Sequence, residues 1–260
     1  MENNNSKDIE FDIDRKTEHS IFALTKQLLT SPNFLLFVLV NFMAEFHKTF
    51  LSGFTAIFSD ALLQNAALDS STRSIFFGAV IVMPRILLAC GGSFLKRYGY
   101  YSIYKITMIS KVVFGISLYI YGGLTPFIYM SFVMLDSVMC GVGLGLMGLA
   151  LPDLVDEDAE IYQRKHPLSS MVLGINALVT KPANSLAPML VVRILNMYGY
   201  SAWQESGGSL ERAPPKELTV AMFSMMCFVP VILGVMQLAL WKRYTIQRSH
   251  LISSSSTTIA

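Results

Sequence analysis

Charge is scarce in this 260-residue chain: Asp, Glu, Lys and Arg together make up 15% of it. A soluble domain of this size carries about 25%, so water is not the solvent for most of the surface. A net charge of +2 and the absence of any long Lys/Arg run leave nothing to track a phosphate backbone, and no nucleic-acid partner is expected. Cysteine is also sparse. Cys90, Cys140 and Cys227 all lie inside apolar runs and are spaced neither as a disulfide framework nor as a zinc site. No metal or other cofactor is expected. H-E-x-x-H, G-x-S-x-G and a paired Cys/His set are missing, which argues against an enzyme. The first thirty residues lack the basic n-region and apolar h-region of a signal peptide, so the first apolar span must act as the insertion signal. Asn4 is the one N-x-[ST] match, on the side expected to be cytoplasmic.

What fills the chain instead is apolar sequence, 53% of residues with a mean hydropathy of +0.49. Crossing a hydrocarbon core of ~30 Å takes about 20 apolar residues in a helix. Six segments qualify: Phe34–Phe58, Ser74–Gly92, Ser102–Tyr121, Pro126–Leu151, Leu168–Val192 and Leu218–Trp241. They are too long and too continuously apolar for barrel strands, so the expected fold is an all-α multi-pass membrane protein. Residues 1–32 read as a polar, acidic segment with a short interfacial helix at Ile21–Thr30, residues 33–242 as the transmembrane bundle, and residues 243–260 as a Ser/Thr-rich tail.

Of the twenty basic residues, twelve flank one side of the spans and four (Arg73, Arg193, Arg212, Lys216) the other. The excess places both termini in the cytoplasm. Lys48, Arg85, Lys111 and Lys181 remain inside spans, with Glu45 and Asp136. Counted from the span ends, most of these sit at depths of roughly 14–20 Å, close to the midplane. Asn41, Glu45 and Lys48 follow i, i+4, i+7 spacing and share one face, with His47 pointing elsewhere. Asn176 and Thr180 form an i, i+4 pair beside Lys181 and Asn184. Two readings stand. Structural ion pairs, Glu45 with Lys48 and Asp136 with Arg85, satisfy the charges locally. Alternatively, Asn41, Glu45, Lys48, Arg85, Asp136, Asn176 and Lys181 line a cavity that takes a small-molecule solute near the midplane. The acidic loop after the fourth span, Asp153 to Glu160, opposes the dipole of the helix before it and calls for a cation. Asp153, Asp156, Arg97 and Arg164 are the candidates for a cytoplasmic gate. Gly141-x-x-x-Gly145 suits close helix packing.

The run LPDLVDED at Leu151–Asp158, Arg164, and VTK ending at Lys181 resemble the glycoside–pentoside–hexuronide cation symporter branch of the major facilitator superfamily. KQLLTSPNFLLFVL from Lys26 and KRYGYY from Lys96 are similar to that branch's link into its seventh helix and its loop between helices eight and nine. The likeness extends over residues 25–245 and is nearest to the transmembrane protein 180 group. It implies the C-terminal half of such a protein, a 3+3 bundle of six helices, with a cavity lysine at Lys181. The branch's cation-binding carboxylates lie on first-half helices, and Lys165, His166 and Pro167 follow Arg164 where the branch carries Gly and Glu, so cation coupling does not carry over. The implied partners are the bilayer, a solute, and an N-terminal half or a second copy. A non-transporting membrane scaffold, or a shortened inactive form, is the alternative expectation.

Overall fold

A computed structural model describes residues 22–63, 69–122, 125–164, 167–207 and 213–246. The N-terminal polar segment to residue 21, Asn4, Lys165, His166, Arg212 and the tail from residue 247 lie outside the described residues. Helix α1 covers residues 22–30, and α2 to α9 follow as Pro32–Leu62, Ser70–Cys90, Gly92–Tyr121, Pro126–Ile161, Ser169–Thr180, Ala183–Asn196, Tyr200–Glu205 and Lys216–Trp241. No strand occurs among the described residues.

Local sequence chemistry sets the helix starts. Pro32 and Pro126 occupy first-turn positions, where the missing N–H costs no bond. Asp69 caps α3 by accepting from the Ser71 amide at 3.2 Å, and Thr125 caps α5 by accepting from the Ile128 amide at 3.3 Å. Among the described residues five helices, α2, α3, α4, α5 and α9, are long and apolar enough to cross a membrane. The fifth expected span is two helices. Pro182 has no N–H to give, so the ladder breaks between α6 and α7 at Lys181–Pro182. Both residues nonetheless keep right-handed helical angles, so the chain continues forward instead of reversing.

Two further boundaries depart from the expected ones. The acidic run Asp153–Glu160 is helix, not loop: α5 continues to Ile161, 36 residues and about 54 Å. The Lys96–Tyr101 stretch lies within α4, interrupted where Gly99 adopts φ 71°.

Helices α2, α5, α4 and α9 pack in a ring, each against the next. Helix α3 docks mainly on α5, while α6 and α7 lie against α2. Two apolar cores fill the ring. One surrounds Phe50, Phe54, Phe58, Tyr129 and Met222; the other surrounds Phe37, Tyr104, Leu146 and Trp241. Ring neighbours approach closely where side chains are absent. An added Cβ at Gly115 of α4 would lie 2.5 Å from the Cys227 carbonyl oxygen of α9, and one at Gly234 would lie 2.9 Å from Val112. Gly141 and Gly145 do the same for α3, their would-be Cβ atoms falling 2.5 Å from Pro84 Cβ and 2.5 Å from Leu88 Cδ2. Spacing i, i+4 on both helices makes this a packing seam, as the G-x-x-x-G spacing implies. In lipid such seams supply the attraction that hydrophobicity cannot.

Enlarging the seam should separate α3 from α5. Gly141→Leu is expected to lower stability by about 1–3 kcal/mol, read as the denaturation midpoint of the purified chain in detergent. Gly148→Leu on the same helix meets nothing within 4 Å and should leave the midpoint unmoved. Equal loss in both variants would show that the seam is not what holds α3.

Candidate functional site

The two apolar cores are separated by a buried polar layer. His47 of α2 is fully enclosed, at 0% exposure, and its Nε2 lies 3.0 Å from Asp136 Oδ2 of α5. Lys111 of α4, 2% exposed, donates from Nζ to Gln237 Oε1 of α9 at 3.1 Å. Gln237 in turn donates to the Val40 carbonyl of α2 at 3.1 Å. Each helix of the ring thus contributes a polar side chain. The partner expected for Asp136 was Arg85, and this is corrected: Arg85 is exposed on α3. The reason is azimuthal. Pro84 and Leu88 must face the glycines of α5, and the residue after Pro84 is turned about 100° away from them.

A second polar set lies along α2 and α6–α7. Asn41 Nδ2 donates to Asn176 Oδ1 at 3.0 Å, and Thr49 Oγ1 donates to Asn184 Oδ1 at 2.8 Å. Each pair is separated by 135 residues, so the two helices run parallel in a fixed register, with rungs eight residues apart. Between the rungs Thr180 donates to the Asn176 carbonyl at 2.8 Å, and Glu45 accepts from Lys48 Nζ at 3.0 Å. The Glu45–Lys48 pair is the one the spacing implies. Lys181 stands exposed at the break between α6 and α7. Among the described residues, Lys181 and Arg85 have no carboxylate partner. The seven sequence candidates therefore divide. Asn41 and Asn176 meet across the seam, Glu45 pairs with Lys48 on α2, Asp136 is buried in the ring, and Lys181 and Arg85 are exposed.

The end of the bundle where α5 stops carries a third set. Arg164 donates from Nε to Asp158 at 2.8 Å and from Nη2 to Gln27 Oε1 of α1 at 2.9 Å. Asn33 donates to Glu157 at 2.7 Å and accepts from the Thr245 amide at 3.3 Å. A pocket of about 140 Å³ opens beside them, bordered by Leu28, Phe34, Leu154 and Tyr162. The cation that the acidic helix end calls for is therefore Arg164, and it closes on Asp158. Asp156 is exposed, Asp153 lies near Tyr100, and Arg97 sits 5.4 Å from the Tyr98 ring. Of the four residues named for a gate, Arg164 closes on Asp158, which was not among them.

The sequence pattern of a known family, described as MFS/sugar transport protein, matches residues 3–248. The chain belongs to that family. Transmembrane protein 180 of Gallus gallus is 28% identical over 237 residues, 87% of this chain and 46% of that protein. Transmembrane protein 180 of Mus musculus is 28% identical over 237 residues, 85% of this chain and 46% of that protein. The chain spans about half the length of these curated relatives. The group indicated by the cytoplasmic-type motifs and by Lys181 is the one found.

In this member of the MFS/sugar transport protein family, His47 and Gln237 are what sequence reasoning missed. The signal was present. His47 falls on the buried stripe Val40, Ala44, His47, Leu51, Phe54, and Gln237 on the stripe Gly234, Gln237, Trp241. A polar residue on the core stripe of a lipid-embedded helix requires a buried partner.

Double-mutant cycles separate the two pairings of Asp136. His47→Gln and Asp136→Asn should be coupled by about 0.5–3 kcal/mol in unfolding free energy. Arg85→Met and Asp136→Asn should add without coupling. Coupling to Arg85 in place of His47 would refute the buried layer.

Proposed function

We propose that the chain is one half of a secondary transporter, and that its solute path follows the polar seam between α2 and α6–α7. Counting α6–α7 as one interrupted span gives six spans in a 3+3 arrangement, with both termini on the cytoplasmic side as the Lys/Arg distribution indicates. The observation that carries the reading is Lys181 at a helix break. Secondary transporters build midplane sites from discontinuous helices, whose freed backbone groups and displaced side chains meet the solute. Here Pro182 interrupts the ladder, Lys181 projects from the interruption, and Asn176 and Asn184 flank it on hydrogen-bonded rungs.

Family membership supports transport, and the family's description names sugars. The chemistry of the seam fits that class: Asn, Thr and Lys donors suit a hydroxyl-rich solute, and the unpaired Lys181 suits one that also carries negative charge. The exposed Lys48 and Lys181 suit a surface covered by a second six-helix half, against which this half rocks. The symporter reading is narrower and rests on the resemblance alone.

Placed in a complete two-half protein, Lys181→Ala should reduce solute uptake at least about tenfold while surface expression stays near normal. Lys181→Arg should rescue only in part, because its planar fork is larger and differently hydrated. Loss of the folded protein with unchanged uptake per surviving molecule would reassign Lys181 to a structural role. Absence of flux with either side chain would favour a membrane scaffold.

A further inference from the structure

We propose that His47 and Asp136 form a proton-binding site in the sealed core of the bundle, distinct from the polar seam. The claim stands on the geometry of the layer and does not depend on the transport reading.

His47 is the one group of the layer whose ordinary titration falls near neutral pH. Every element packed against it can be read for charge. From α5 it meets Asp136 and, close by, Cys140; from α4, Lys111 acts on it. The nearest polar group of α9 is Gln237, which is neutral and engaged by Lys111 and Val40, while the charges of α9 lie in its first turn at Lys216 and Glu217. Lys181 and Arg193 of α6–α7 are exposed, as are Lys48 on α2 itself and Arg85 of α3 behind α5. The buried layer therefore holds one carboxylate, one amine and one imidazole.

That inventory has two charge states one proton apart. With His47 neutral, Lys111 and Asp136 cancel. With His47 protonated, the layer carries one net positive charge in a low-dielectric core, held by the contact of 3.0 Å to Asp136. The added proton comes from hydronium: its O–H bond breaks, an imidazole N–H bond forms and water is left, and the pair binds the proton as a unit. A structural ion pair surrounded by apolar side chains would keep its partners saturated. This one does not: Asp136 Oδ1 makes no hydrogen bond. Asp136 also borders a pocket of about 10 Å³ between α4, α5 and α9, lined by Gly115, Phe132 and Pro230. That space is at the lower volume limit for one water, and Asp136 is the polar side chain in its lining.

The pair joins α2 to α5, and α2 also carries Asn41 and Thr49, which hold α6–α7. Protonation inside the ring thereby acts on the helix that organises the seam.

The test is imidazole nuclear magnetic resonance of the full chain in lipid nanodiscs, with isotope-labelled histidine. The His47 signal is the one lost in His47→Gln. It should pass from neutral imidazole to imidazolium in one step between roughly pH 5 and pH 9. Asp136→Asn should lower the midpoint by at least about one pH unit, a tenfold loss of proton affinity. Should that variant not fold, Lys111→Gln removes the neighbouring cation and should raise the midpoint by at least about half a unit. An imidazole that stays in one protonation state across this range would overturn the proposal. So would a midpoint that ignores both substitutions.

Discussion

A bundle embedded in lipid offers little water to satisfy a polar atom in its core, so its buried charged side chains depend on partners from neighbouring helices. The contact between His47 and Asp136 is where this constraint is tightest. It ties α2 to α5 at the level where the two apolar cores meet, and the Lys111–Gln237–Val40 chain ties α4, α9 and α2 at the same level. Removing one member of such a pair strands the other, at a cost of about 3–5 kcal/mol, whereas replacing both by apolar groups is far cheaper. The layer therefore fixes which helices are neighbours more than it adds to stability. Close approach at Gly115, Gly141, Gly145 and Gly234 depends on the helices already being in that arrangement.

The seam between α2 and α6–α7 obeys the opposite logic. Its rungs are only partly buried, and Lys48 and Lys181 project from it. Charged groups at that depth are tolerated where they face a cavity or another protein surface. One helix, α2, thus serves both sets: His47 and Val40 turn into the ring, while Asn41, Glu45 and Thr49 turn to α6–α7.

Much of this was legible from the residues. Length and apolarity located five spanning helices, because lipid imposes one period and one minimum length. The Asn41/Glu45/Lys48 stripe and the Gly141/Gly145 seam followed from helical spacing, since both are properties of a single helix face. Three features were not legible. His47 and Gln237 are counted as neutral in a tally of formal charges, so a search for charged residues passes over them. The break at Pro182 disappears in a hydropathy window that averages over it. Depth alone paired Asp136 with Arg85, but depth leaves a helix free to rotate, and packing at Pro84 and Leu88 decides the rotation. The continuation of α5 to Ile161 was hidden for a related reason. The apolar run stops at Leu151, whereas backbone hydrogen bonding continues into polar sequence, where Arg164 meets the charge of Asp158.

The central claim is that the seam faces water while the outer side of the ring faces lipid. With Cys90, Cys140 and Cys227 replaced by alanine, single cysteines at Lys48, Asn184 and Ile232 can be compared in intact membranes using a membrane-impermeant thiol reagent. Only a thiolate reacts, and it forms only in contact with water, so the first two should react at least about tenfold faster than the cysteine at Ile232, on the outer face of α9. Equal and negligible labelling at all three positions would contradict a water-filled path along α2 and α6–α7.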